Sequence, residues 1–260
     1  MVNAVTTWPA SAVVFLCVFL ALCPALLFWW LSRLPALQSR CATLTGVEPA
    51  MIGAVGLLFG LFAAFLANDI WSRNQVAAHA VFQESDAIRT LARYAEGMSP
   101  KAQQAMQAAL SDYAVTVIEQ DWPKMLEGTR SKELLPRVRT ISSLIISGDL
   151  GKEAGPGMQG RMIDAFTQLR DARQARLQIA ECRKLTIKWY ALIIFGLLTQ
   201  VAIGLVHITR PRPNLAAQLV FAAAFASCLS ILMLNEFPFS AMNPVSAEPL
   251  EKAVESLTRK

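Results

Sequence analysis

The chain has 260 residues, of which 54% are hydrophobic, and a formal net charge of +5. The excess of positive charge is small, and no basic stretch is interleaved with aromatic residues, so the composition argues against a nucleic-acid-binding protein. The apolar residues are instead concentrated in four runs that contain no Asp, Glu, Lys or Arg.

The four charge-free runs have the length of membrane spans. They are Met1–Ser32, Pro49–Asn68, Trp189–Thr209 and Pro213–Asn235. The hydrocarbon core of a bilayer, about 30 Å thick, requires about 20 apolar residues in a helix. The first run has no basic segment before it and its apolar stretch is long, which favours a retained span over a cleaved signal peptide.

The sequence therefore predicts an all-α membrane protein with four transmembrane helices. Its four parts are a first transmembrane pair at residues 1–71, a water-exposed helical insert at 72–187, a second pair at 188–236 and a tail with a short helix at 237–260. We expect a multi-pass protein of the cell membrane, which in a bacterium is the inner membrane, with the lipid bilayer as its first partner.

Charges next to the spans bear on orientation. The first span ends in Phe28, Trp29 and Trp30, which is typical of an aromatic belt at a membrane surface. Four spans place the insert and both termini on one side and the two short loops on the other. The loops carry Arg33, Arg40, Arg210 and Arg212, which favours cytoplasmic loops and an extracytoplasmic insert. Basic residues also flank the spans on the insert side, among them Arg73 and Lys188.

One face of the second span has the pattern of a channel constriction. An apolar ring followed by a charged ring can gate by dewetting and select ions by charge. Packing against lipid or a neighbouring helix is the alternative, and a stripe of glycines at Gly53, Gly56 and Gly60 permits close helix contact in either case. The predicted pore-lining residues are Phe59, Phe62, Leu66, Asp69 and Arg73.

The insert is predicted to consist of four helices. The first runs from Ser72, the second opens at Ser99-Pro100 and ends near Trp122, the third covers about Pro136 to Ile146, and the last starts near Met158 and continues into the third span.

Charged residues in the insert suggest an internal ion pair. Glu84 interrupts the apolar stripe of the first insert helix, and Arg173 and Arg176 lie on the last helix. A buried Glu–Arg pair would orient these helices, although exposure at the edge of the stripe explains Glu84 equally well. Glu119 and Asp121, two residues apart on a helix, are interpreted as a solvated face.

No residue pattern indicates an enzyme, a metal site or a cofactor. The two histidines, His79 and His207, have no ligand partner at helical spacing, and no nucleophile elbow, P-loop or HExxH motif occurs.

Four segments together resemble the bestrophin-like membrane proteins. They are Phe65 to Trp71 at the exit of the second span, Tyr113 with Glu119 to Pro123, Arg173 to Leu177, and Pro238 to Ser240 after the fourth span. The resemblance implies kinship with bestrophins, which are pentameric anion channels with four spans per subunit and an intracellular insert. No acidic cluster like the bestrophin calcium clasp is found.

Two functions follow as hypotheses. The first is a homo-oligomeric ion channel, anion-selective if the resemblance extends to function, which conducts small inorganic ions through a pore lined by the second span. The second is a membrane sensor or scaffold whose insert binds a partner and passes the signal through helices that continue into the membrane.

Overall fold

The structure, a computed structural model, describes residues 8–41, 48–127, 129, 131–146, 149–181, 187–240 and 245–258. Within these residues every regular element is a helix, and four helices are long and apolar enough to cross a membrane. The predicted all-α class with four spans is thereby confirmed. The helices are α1 (Ala10–Leu31), α2 (Pro35–Cys41), α3 (Glu48–Ala95), α4 (Pro100–Thr116), α5 (Trp122–Leu126), α6 (Leu134–Ile146), α7 (Asp149–Glu181), α8 (Ile187–Val206), α9 (Pro211–Asn235) and α10 (Glu248–Thr258), with a π-helical turn at Val117–Asp121.

The chain divides into two compact units. We call Met1–Ser72 with Lys184–Phe237 the membrane unit, and Arg73–Arg183 with Pro238–Lys260 the insert unit. The chain passes from the first unit to the second within α3. Because the segment after the fourth span belongs to the insert unit, α10 is part of the same core as the helices between the second and third spans.

The membrane unit packs through small residues and amide hydrogen bonds. A Cβ at Gly196 on α8 would lie 2.4 Å from the ring of Phe225 on α9, so only glycine permits this approach. Gln200 Nε2 donates to the carbonyl oxygen of Ala21 on α1 at 2.8 Å. Gln218 Nε2 donates to the carbonyl oxygen of Gln200 at 2.7 Å. In a membrane such bonds join helices, because lipid offers no competing partner.

The insert unit has a continuous hydrophobic core. Met106, Leu110 and Tyr113 on α4 are fully buried, in the stripe that helical spacing predicts. The helix begins as predicted, since the Ser99 side chain accepts a hydrogen bond from the Ala102 backbone and Pro100 occupies the first turn. Leu250 on α10 is buried in the same core, and the Ser85 hydroxyl donates to the Pro249 carbonyl at 2.6 Å.

The predicted end of the second insert helix near Trp122 is wrong. The helix changes to π geometry at Val117–Asp121 and continues as α5 through Pro123. Pro123 lies in the first turn of α5, directly after the π turn. α7 contains a break at Gly155, whose φ of 70° suits glycine, and is regular beyond it. Continuity of this helix with the third span falls on residues 182–186, outside the described residues.

Candidate functional site

The first three predicted pore residues pack inside the membrane unit. The ring of Phe59 lies edge-on to Phe225, with ring centroids 5.4 Å apart, and Phe62 stacks on Phe195 at 5.1 Å. Leu66 is fully buried. This face of α3 therefore contacts α8 and α9 of the same chain. The role of these three residues in lining a pore stays a prediction, and their packing favours a different face of the same helix.

The two charged members of that set lie at the end of the span. Asp69 forms an ion pair with Lys188 at the start of α8, and each side chain is about a third exposed. Arg73 is half-buried and belongs to the insert unit. Close by, Trp189 Nε1 donates to Glu236 Oε2 at 3.0 Å, and this carboxylate is fully buried. Charged side chains at this end of the membrane unit are thus held by partners in their own chain.

The opposite face of α3 is exposed. Leu57 and Leu61, one turn apart, are 73% and 46% exposed. Asn68 continues this face two turns later and is also exposed. Residues two positions apart on a helix are separated by about 200°, so Leu57 points away from the packed Phe59. A Cβ added at Gly53, Gly56 or Gly60 would meet no atom within 4 Å.

A charged cluster occupies the centre of the insert unit. The Arg176 guanidinium donates from Nε to Glu84 Oε2 at 2.7 Å and from Nη2 to Glu84 Oε1 at 3.1 Å. The Tyr113 hydroxyl donates to Glu84 Oε1 at 2.6 Å. All three side chains are fully buried. The structure thus brings Glu84 and Arg176 together, two of the three residues predicted to form an ion pair.

Asp121 completes the cluster, and the interpretation of this residue as solvated is wrong. Its Oδ2 accepts from Arg176 Nη2 at 3.1 Å and its Oδ1 from the Ser131 backbone N–H at 3.2 Å. Asp121 is fully buried, whereas Glu119 is exposed. The signal was present in the sequence, because Asp121 lies four residues after Val117 and extends the buried stripe of α4.

Arg173 does not join this pair. Its Nε is buried without a hydrogen-bond partner, one turn before Arg176 on α7. The cluster as described carries two carboxylates and one guanidinium, with the Met125 sulfur accepting from Arg176 Nη1 and the Trp122 ring 5.9 Å from Arg176 Cζ. Burying these charged groups costs desolvation free energy, and the hydrogen bonds among them offset this cost.

The environment shifts two pKa values in the cluster. Burial raises the pKa of Tyr113 well above its ordinary value, and the neighbouring Glu84 carboxylate raises it further. For Arg176, burial lowers the pKa, but Glu84 and Asp121 more than offset this and leave it raised. Arg176 therefore stays charged and Tyr113 stays protonated, as a stable structural network requires.

Buried amides in the membrane unit were not singled out from the sequence. Gln200, Gln218 and Asn214 are fully buried, and Asn214 has both amide atoms without a protein partner. Among the described residues, no group of three or more His, Cys, Asp or Glu side chains is arranged to hold a metal ion.

Comparison with known families decides the kinship. The sequence profile of the bestrophin-like domain matches residues 18–250, which is most of the chain. The chain belongs to the bestrophin-like family. No curated protein gives a significant match to this bestrophin-like sequence.

Solved structures share the fold of this bestrophin-like protein. A variant of a bacterial bestrophin homologue from Klebsiella pneumoniae is similar with a TM-score of 0.66 at 15% identity, over 92% of this chain and 99% of that one. A variant described as a membrane protein has a TM-score of 0.70 at 14% identity, over 96% of this chain and 99% of that one. At this identity the likeness establishes the fold.

Three of the four segments that carry the family resemblance meet in the insert unit. Tyr113 and Asp121 from one of these segments are joined to Arg176 from another through the buried cluster. Phe239, from a third segment, packs edge-on against Trp122 with ring centroids 5.7 Å apart. Residues more than a hundred positions apart in sequence thus form one packed and hydrogen-bonded centre.

Proposed function

We propose that this bestrophin-like protein is an ion channel built from several copies of the chain, with the exposed face of α3 lining a central pore. The observation that carries the proposal is the lack of cover on α3. Of the residues in its apolar 18-residue stretch, only 6% are buried. The corresponding shares in α1, α8 and α9 are 22%, 44% and 39%. A span so uncovered by its own chain has its surface available for other copies, water or lipid.

The residues on that face suit a gated pore. In a ring of copies, Leu57 and Leu61 would form two apolar layers one helical turn apart, narrow enough to exclude water in a closed state. Asn68 would follow as a polar layer towards one mouth. Phe59, Phe62 and Leu66 support this wall from behind, since they pack within the subunit. Asp69 and Arg73 remain candidates for charges near the mouth.

Oligomeric state and conductance test the proposal together. We expect the full chain, purified in a mild detergent, to form a closed ring by mass photometry and to give single-channel currents in planar bilayers. Replacing Leu57 and Leu61 with Ser should hydrate the constriction and increase the open fraction severalfold. Leu219→Ser on α9, also an exposed apolar residue, is the matched control and should leave the currents unchanged. A monomer without conductance would exclude a channel.

Anion selectivity is inferred from the bestrophin resemblance. A reversal potential that follows the chloride gradient across the bilayer supports it. A reversal potential that follows the cation gradient would reject anion selectivity and leave the channel in place.

The orientation proposed from the charge rule has the insert outside the cytoplasm. Alkaline phosphatase fused after Ser99 tests it, because this enzyme is active only outside the bacterial cytoplasm. Phosphatase activity supports the orientation. Green fluorescent protein fused at the same site serves as the opposite reporter, and fluorescence of that fusion would contradict the orientation.

A further inference from the structure

Three arginines are linked at one end of the membrane unit. Arg33 lies just after α1, with its Cζ 3.9 Å from the centre of the Trp29 ring. The Trp29 indole Nε1 donates to the Pro211 carbonyl oxygen at 3.1 Å. Pro211 stands between Arg210 and Arg212 at the start of α9. One tryptophan thereby connects the end of the first span to the start of the fourth.

These arginines have no acidic partner in the part of the chain that the structure describes. All three side chains are exposed, and none of the ion pairs found there includes them. The contrast with the other end of the unit is clear, because Asp69 and Lys188 pair with each other there. Three guanidinium groups without a carboxylate favour an anion from outside the chain.

An apolar groove of about 200 Å³ lies beside the arginines. It runs between α1 and α8 and is lined by Phe28, Leu31, Val201 and Leu205, and also by Ser32 and Ile208. Gly204 contributes to its wall, where a side chain would narrow it. The lining residues Ser32 and Ile208 are one and two positions from Arg33 and Arg210 in sequence, so the groove lies at the same end of the unit as the arginines.

We propose that this end of the membrane unit binds an acidic phospholipid of the bilayer. The phosphodiester lies against Arg33, Arg210 and Arg212, and the upper part of an acyl chain enters the groove between α1 and α8. The occupant follows from position as well as charge, because the arginines stand where the spans end and therefore at the depth of the headgroups. Trp29 has the amphipathic ring that suits this layer, and the guanidinium of Arg33 lies over that ring.

The experiment titrates the detergent-purified full chain with dioleoyl phosphatidylglycerol and follows thermal stability. We expect this lipid to raise Tm, while dioleoyl phosphatidylcholine and inorganic phosphate do not. The triple variant Arg33→Gln, Arg210→Gln, Arg212→Gln should weaken the apparent affinity by roughly tenfold or more. The matched triple variant Arg139→Gln, Arg161→Gln, Arg170→Gln removes the same charge from exposed sites in the insert unit and should retain the affinity.

Three results would overturn the proposal. If inorganic phosphate raises Tm as much as the lipid does, the site binds free anions. If phosphatidylcholine does so, the charge of the headgroup has no role. If both triple variants lose the same affinity, only the net charge of the protein matters. If the first triple variant does not fold, the native chain is compared at about 50 and about 500 mM KCl, where an affinity independent of salt rejects the site.

The groove has its own variant pair. Val201→Phe fills it, whereas Ile194→Phe places the same phenyl ring two turns away on the same helix, at a side chain that is exposed. We expect the first variant to weaken phosphatidylglycerol binding at least severalfold and the second to leave it unchanged. Equal affinities for the two variants would reject acyl-chain entry into the groove.

Discussion

The two units of this chain bury their polar groups in different ways. At the centre of the insert unit, two carboxylates, a guanidinium and a phenol satisfy one another through direct contacts. The membrane unit has no such centre among its described residues and instead uses amide side chains, such as Gln200, to bond backbone carbonyls of neighbouring helices. Its charged groups lie at its two ends.

Their surfaces differ in a corresponding way. The insert unit covers most of its large apolar side chains with its own helices, whereas in the membrane unit α3 leaves Leu57, Leu61 and Phe65 uncovered. The insert unit therefore holds the interactions that define its fold within one chain. The membrane unit depends on lipid and, under the proposed function, on further copies for the burial of its surface.

Removal of Arg176 gives the largest expected loss and tests whether the insert unit is held by its charged centre. Arg176→Met leaves Glu84 and Asp121 buried without their cation, which should reduce the free energy of unfolding by about 3–5 kcal/mol. Chemical denaturation followed by circular dichroism measures the loss. Arg170→Met on the same helix removes an exposed guanidinium and should change stability by less than about 0.5 kcal/mol. If both variants lose the same free energy of unfolding, the charged cluster does not stabilise the insert unit.

Glycine substitutions make the corresponding test in the membrane unit. Gly196→Ala places a Cβ within 2.8 Å of three atoms of the Phe225 ring, which is itself fully buried, so overpacking should cost about 1–3 kcal/mol. The readout is unfolding in mixed micelles followed by tryptophan fluorescence.

Gly53→Ala is the control, since its new methyl group meets nothing in its own chain. Subunit stability should be unchanged or slightly higher, because alanine is the better helix former. If this variant also abolishes assembly, the exposed face of α3 contacts another copy. A Gly196→Ala protein as stable as the wild type would contradict the packing of α8 on α9.

The smallest expected effect concerns the pH dependence of the insert unit. The pKa of Tyr113 is raised in the folded state, so the unfolded state releases this proton first. The contribution of Tyr113 to the free energy of unfolding is complete below about pH 10 and is lost as pH rises further. The free energy of unfolding then falls by up to about 1.4 kcal/mol per pH unit. Tyr113→Phe should lack this part of the alkaline loss. Parallel pH profiles for the two proteins between about pH 9.5 and 11 would refute a raised pKa.

The spans could be predicted because charge is excluded from hydrocarbon over a fixed length, whatever the neighbouring helices are. A buried ion pair of Glu84 with either Arg173 or Arg176 could be predicted as one of two alternatives, because a lone buried charge is costly, and exposure of Glu84 was the other. The choice of Arg176 could not be predicted, because the two arginines are three residues apart and therefore lie on the same side of the helix. Met125 on α5 and Asp121 in the π turn contact Arg176 and thereby select it as the partner of Glu84.

The sequence could not show which face of α3 packs within the chain and which face remains exposed. Its two faces are both apolar, with Phe59 and Phe62 on one and Leu57 and Leu61 on the other. Hydropathy cannot separate a face that packs on α8 and α9 from one that remains exposed. The aromatic contacts with Phe195 and Phe225 make that distinction.

The π turn at Val117–Asp121 amounts to one residue inserted into an α-helix. Deleting a single residue there would restore ordinary winding, rotate α4 by about 100° relative to α5, and separate Tyr113 from Asp121 on the helix surface. Chains of this family that differ by one residue in this interval should therefore be aligned with the gap inside the turn. The same reasoning predicts that a one-residue deletion here is far more damaging than a substitution at the exposed Glu119.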